Sequence, residues 1–188
     1  MKPQQLKIDQ NRRMIKYGTK EQLLRVLWGA CKPFFHLSPR PFFVWRCFLL
    51  RLFGAKVGRH VHIYNSAVIY MPWNFEIGDW SSIGESVLIY NLGKICIGKR
   101  STISHRAHLC AGTHNYNDLA FPLIKLPITV ADQVWICTDS FIGPGISVGE
   151  GAVVGACAVV VKDVGPWQVV GGNPAKFLKN RVIDNNLN

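Results

Sequence analysis

The chain has 188 residues, is 48% hydrophobic, and carries 22 Lys and Arg against 11 Asp and Glu, a net charge of +11. That size and apolar content suit one domain with a buried core, and no apolar run reaches the ~18 residues of a membrane-spanning helix. The six cysteines show no C-x-x-C pair and no His/Cys cluster at zinc spacing, so no metal site is expected. They read as small, reduced core residues of a cytoplasmic protein. The opening residues, Met1-Lys2-Pro3-Gln4-Gln5, lack the apolar core of a signal peptide.

Residues 1–60 hold 13 Lys/Arg and 2 Asp/Glu, while residues 61–188 hold 9 of each, so the whole net charge sits at the N-terminal side. The same segment carries Trp28, Phe34, Phe35, Phe42, Phe43, Trp45, Phe48 and Phe53. Gln22 to Trp28 and Phe43 to Phe53 read as two short helices, separated by Pro33, Pro39 and Pro41. Residues 1–55 are expected to form a basic, aromatic helical cap, because an open solenoid end exposes sheet edges. Trp and Phe interleaved with Arg also suit peripheral contact of residues 1–60 with an anionic membrane, and the two readings are compatible. Nucleic-acid binding is disfavoured, since the arm has no base-reading motif.

From residue 57 the chain counts in sixes. Apolar residues fall at Val130, Ile136, Ile142, Val148, Val154 and Val160 without a break. Upstream, the same phase gives Val57, Ile63 and Ile69; then Ile77, Ile83 and Ile89; then Ile97, Ile103 and Leu109. Six fits neither a helix nor a flat strand, but it fits a parallel β-helix, where three hexapeptides make one coil of about 18 residues. Grouped in threes, the hexapeptides give about five coils over residues 56–165, and every surplus residue falls between coils. All insertions therefore share one corner of a triangular prism, with the longest at residues 115–127 and a short C-terminal extension at 166–188. Repeat proteins tend to place their insertions on a functional face.

The repeats, with Gly112-Thr113-His114, Val134-Trp135-Ile136, Gly155-Ala156, Lys162-Asp163 and Gly172-Asn173-Pro174-Ala175-Lys176, resemble the hexapeptide-repeat O-acetyltransferases. This family includes maltose, galactoside and nodulation-factor acetyltransferases. Phe48 to Lys56, Pro72-Trp73-Asn74, Ile89 to Gly93 and Phe121 to Ile124 look closest to its colanic-acid (exopolysaccharide) branch, and the resemblance spans roughly residues 48–181. It implies a left-handed coil, a hand the hexapeptide count does not give, since parallel crossovers are otherwise almost always right-handed. It also implies a homotrimer with clefts between subunits, and transfer of acetyl from acetyl coenzyme A, a co-substrate, to a sugar hydroxyl of an exopolysaccharide or its lipid-linked unit.

A hydroxyl attacks a thioester poorly unless its proton is removed, and His suits that task near neutral pH. His36, His60 and His62 lie in or beside the basic segment, and His105 and His108 lie within a coil, where a structural role is expected. His114 opens the long corner insertion and stands where the family has its catalytic base. Thirty residues earlier the galactoside and maltose enzymes carry an acceptor-binding Asn; here the position is Gly84, with Glu85 beside it. An acidic sugar-binding residue of those enzymes is Leu92 here, next to Asn91. Glu85 and Asn91 are therefore candidate acceptor contacts. Glu85 is either a carboxylate partner of His114 or a solvated turn residue. By resemblance Thr138 lies by the thioester, where a backbone N–H would meet the oxyanion. Ala156, Val161 and Lys162 would line the pantetheine arm, and Lys176 and Lys179 the nucleotide phosphates. A small soluble sugar or xenobiotic as acceptor, and a non-catalytic scaffold, remain the other readings.

Overall fold

Every sixth residue points inward. Ile63, Ile83, Ile103 and Ile136 form one column, Ile69, Ile89, Leu109 and Ile142 a second, and Ile77, Ile97, Val130 and Val148 a third, none more than 3% exposed. A computed structural model describes residues 5–184; residues 1–4 of the expected cap and 185–188 of the expected extension lie outside the described residues.

The three columns belong to three flat parallel sheets. Face A stacks Lys56–Val57, Phe75–Ile77, Ile95–Ile97, Ile128–Val130 and Ser147–Val148. Face B stacks His62–Ile63, Ser82–Ile83, Thr102–Ile103, Trp135–Ile136 and Val153–Val154, and face C stacks Val68–Ile69, Leu88–Tyr90, His108–Cys110, Phe141–Ile142 and Val159–Val160. The register follows the sixes, with Ile63 beside Ile83 and Ile83 beside Ile103. The expected grouping into coils is the observed one, and the surplus residues all lie where the chain passes from face C to face A.

The other two corners turn through left-handed residues at matched positions. His60, Trp80, Arg100 and Gln133 mark the A-to-B corner, and Ser86, Arg106, Asp139 and Cys157 the B-to-C corner, each with φ between 54° and 62°. Such backbone is uncommon outside glycine. Here one turn geometry is repeated in register, so side chains stack outside it: His60 lies on Trp80 at 4.1 Å, and Arg106 grips both oxygens of Asp139 at 2.6 and 2.7 Å.

The solenoid runs on beyond residue 165. Val164 bridges to Val148 on face A, and Gln168–Gly171 adds a strand to face B. This begins a sixth turn, where the sixes alone indicated about five. Lys176–Asn180 then folds back antiparallel on Gln168–Gly171.

Three helices lie at the other end: α1 (Ile8–Arg13), α2 (Thr19–His36) and α3 (Phe43–Leu52). Helix α2 runs through Pro33, where the sequence pattern indicated a break. A proline removes the bond to the carbonyl four residues back, here that of the solvent-exposed Gly29. Its inner face sinks Trp28 and Phe35 into the core, and α3 adds Cys47, Leu49 and Leu50. Arg46 on α3 is fully buried, with four neutral partners: the carbonyls of Ile63 (2.6 Å), Pro39 (2.9 Å) and Arg40 (2.6 Å) and the Ser38 hydroxyl (2.9 Å).

Candidate active site

The long insertion is more ordered than a loop. Strand Gly112–His114 leaves face C and pairs antiparallel with Leu123–Lys125, with His114 opposite Leu123. The expected loop 115–127 is thus a hairpin with its tip at 115–122. The polar tip binds itself: the Ala120 N–H donates to the Asp118 carboxylate at 2.8 Å and the Asn115 N–H to the Pro122 carbonyl at 3.0 Å.

At the base of that tip the His114 ring lies parallel to Phe121, with centroids 4.5 Å apart, and its Nδ1 is 2.8 Å from the Phe121 carbonyl oxygen. A carbonyl only accepts, so Nδ1 must carry the proton and Nε2 keeps its lone pair. Nε2 is therefore the nitrogen able to take up a proton.

A residue the sequence did not single out completes this geometry. Asn11, on α1, is buried, and its side-chain Nδ2 donates to the carbonyls of Ala120 (3.0 Å) and Phe121. Lys16 closes on Asn11 Oδ1 at 2.6 Å. The only sequence signal would have been a lone asparagine in a basic segment, far from the repeats.

The remaining candidates sort by corner. Val161 and Lys162 follow face C, at the same corner as His114. Glu85, Thr138 and Ala156 all sit in turns from face B to face C. Lys176 and Lys179 lie on the exposed antiparallel strand at the C-terminal end. One prism therefore does not bring Glu85 and His114 together. Glu85 is instead an exposed turn residue 3.6 Å from Arg40. The Thr138 hydroxyl lies 3.0 Å from the His105 carbonyl and 3.2 Å from the Asp139 carboxylate, which Arg106 holds below its usual carboxylate range.

Asn91 departs from its expected place at the acceptor. It is fully buried, its carboxamide bonded in both directions to the Met71 backbone, so it fastens one coil to the next and offers no atom to a sugar. Asn91 and Leu92 are both buried where the chain passes from face C to face A. His108, expected to be structural, packs edge-on against Phe141; burial pushes its pKa down and its Nε2 has no hydrogen-bond partner. A cleft of about 830 Å³ runs along face A, and His114 is not among the residues that line it. Glu76 there bridges Lys56 and Lys94 at 2.8 and 2.9 Å, and those hydrogen bonds lower its pKa to about 2.

No family model matches the chain. It is 40% identical over 159 residues to the putative colanic acid biosynthesis acetyltransferase WcaF of Escherichia coli, spanning 85% of this chain and 87% of that protein. A hexapeptide-repeat acetyltransferase of Vibrio cholerae, solved with acetyl coenzyme A, superimposes with a TM-score of 0.81 at 26% identity, over 91% of this chain and 94% of the other. A maltose O-acetyltransferase of Clostridium difficile shares the fold, with a TM-score of 0.78 at 23% identity over 89% and 92% of the two chains. The class is therefore an acyl-transferring enzyme on a left-handed parallel β-helix. Within it, the chain belongs to the hexapeptide-repeat acetyltransferases, in the group of the colanic acid biosynthesis enzymes.

Proposed function

We propose that the protein transfers acetyl from acetyl coenzyme A to a hydroxyl of an exopolysaccharide sugar or its lipid-linked unit, with His114 as general base. The observation that carries this reading is the Phe121 carbonyl on His114 Nδ1, which leaves Nε2 as the acceptor. As the sugar oxygen attacks the thioester carbonyl, Nε2 takes its proton; when the tetrahedral intermediate collapses, the C–S bond breaks and the imidazolium returns the proton to the thiolate. Thr138 would serve the oxyanion through its backbone N–H, Ala156, Val161 and Lys162 the pantetheine arm, and Lys176 and Lys179 the phosphates. His114→Ala should lower turnover roughly 10²–10⁴-fold while acetyl coenzyme A still binds. Near-normal turnover on a polysaccharide-derived acceptor would refute the assignment.

The working unit in this reading is a homotrimer. Its support is the division of the candidates between two corners of one prism, His114 at one and Glu85, Thr138 and Ala156 at the other. A three-fold arrangement sets one corner against the other corner of a neighbour, and Glu85 would then approach the acceptor from the next subunit. Light scattering showing an active monomer would contradict it.

The finer reading of location is peripheral attachment at the cytoplasmic face of a membrane. Among the described residues no helix is long and apolar enough to cross one. Support comes from the outer side of the cap, where Leu23, Leu27 and Phe34 on α2 and Val44, Phe48 and Leu52 on α3 are exposed. Trp45 joins the two stripes by donating to the Phe34 carbonyl at 3.1 Å. The occupant that fits is an anionic bilayer, because the net charge of +11 falls within residues 1–60. Flotation with phosphatidylglycerol vesicles should be strong at low salt, weaken as salt rises, and be lost in Phe34→Ser/Phe48→Ser. Flotation that fails at low salt, or a cap that mediates self-association instead, would overturn it.

A further inference from the structure

Helix α1 buries a single residue among those described, and that residue is polar: Asn11. A helix with no apolar face gains little from packing, so its placement rests on hydrogen bonds. The Lys7 N–H donates to the Leu119 carbonyl at 2.7 Å, Asn11 donates to Ala120 and Phe121, and Lys125 Nζ returns a bond to the Lys16 carbonyl at 3.2 Å. All of these fall on the hairpin that carries His114. The Asn11 amide is fully specified, since Nδ2 faces two carbonyls and Oδ1 faces an ammonium.

The point of contact is itself under strain. Phe121 has φ of +50°, in the left-handed region, although it bears a bulky side chain. Such a residue is strained and persists only where its surroundings hold it. Its carbonyl accepts from His114 Nδ1 and from Asn11 Nδ2 together, and its ring stacks on the imidazole.

We propose that Asn11 is a positioning residue for His114: its amide pins the Phe121 carbonyl, and that carbonyl holds the imidazole in the Nδ1–H tautomer with Nε2 turned to the acceptor. The inference rests on the reading of His114 as the base. It gives the N-terminal segment a part in the reaction that is separate from capping or charge.

The test compares Asn11→Ala, Asn11→Asp and His114→Ala with the unaltered full chain, using steady-state kinetics and ¹⁵N NMR of the imidazole. Asn11→Ala should lower kcat roughly 10- to 100-fold, the scale of a misplaced catalytic group, with the KM for acetyl coenzyme A unchanged. Its His114 signals should move from the Nδ1–H tautomer to a mixture. Asn11→Asp keeps the Lys16 contact but presents no donor to Phe121, so it should lose as much. Full kcat in Asn11→Ala, or a lower kcat with the tautomer unmoved, overturns the proposal. If His114→Ala stays active, the base reading falls separately, while the tautomer shift still decides whether Asn11 holds the ring.

Discussion

At the N-terminal end of the β-helix, carbonyls of the first coil are met by side-chain donors; at the C-terminal end, N–H groups of the last full coil are met by main-chain carbonyls. Inside the ladder the bonds run both ways, with Gly58 N–H donating onward to Ile77 and Trp80 N–H donating back to Arg59, so each edge strand leaves groups without a neighbouring coil. Carbonyls at the first end receive their donors from side chains. Arg51 reaches the Val57 and Gly58 carbonyls on face A, at 3.0 and 2.7 Å. Arg46 reaches Ile63 on face B at 2.6 Å, and Trp28 reaches Ile69 on face C at 2.9 Å. At the second end N–H groups find acceptors on the main chain, where Val164 serves Gly149, Val170 serves Gly155 and Gly172 serves Val159, and the Val164 N–H donates back to Ser147.

This contrast has a physical cause. Helices lying across a sheet edge have their own N–H groups engaged, so only side chains can donate. Every residue supplies a carbonyl, so the other end can be closed by nearly any segment that continues the coil. Part of the positive charge of the first 60 residues is therefore structural: Arg46 and Arg51 are donors to an edge, whatever the remaining cations meet outside.

The sharpest way to break the comparison is Arg46→Ala. Three carbonyls lose a donor and a guanidinium-sized void opens, so stability should fall by about 3–5 kcal/mol in urea denaturation. A loss under about 1 kcal/mol would mean that the edge does not depend on side-chain donors. At the opposite end the sensitive feature is backbone space. Gly151 has φ of +67°, and an added Cβ would lie 2.5 Å from the Trp167 ring. Non-glycine residues take that turn in other coils, so Gly151→Ala should cost about 1–3 kcal/mol through the clash alone. Combining it with Trp167→Ala should restore most of the loss, and failure to do so would point to the backbone angle. The smallest effect is expected for Trp28→Phe, which keeps an aromatic ring while removing the donor to Ile69 and leaving a small void beside Phe35 and Phe53. A loss of about 1 kcal/mol is expected from the thermal midpoint; no change would show that water replaces the indole N–H.

The coil register was legible because one backbone geometry repeats, and repetition writes itself into the sequence as Ile63, Ile83 and Ile103 or Ile69, Ile89 and Leu109. His114 stood out as a candidate base through its neighbours Gly112 and Thr113 and its place at the edge of the insertion. Features formed by distant contacts left no such trace. The sixth turn begins at Val164, where the sixes stop, and Asn91 looks like any polar residue at a corner until its burial is seen. Pro33 signalled a helix end and did not enforce one, because the missing bond falls at the exposed Gly29.

The sequence by itself determined a prism of three apolar columns with all its insertions at one corner, since inward phase and period are local properties that burial reads directly. Only the tertiary structure decided that Arg46 and Trp28 are sheet-edge donors, that the corner insertion is a hairpin, and that Asn11 meets Phe121 110 residues away. Each of these depends on which unsatisfied carbonyl a folded chain leaves within reach. A carbonyl is present on every residue, so no pattern of side chains could have marked the ones that matter.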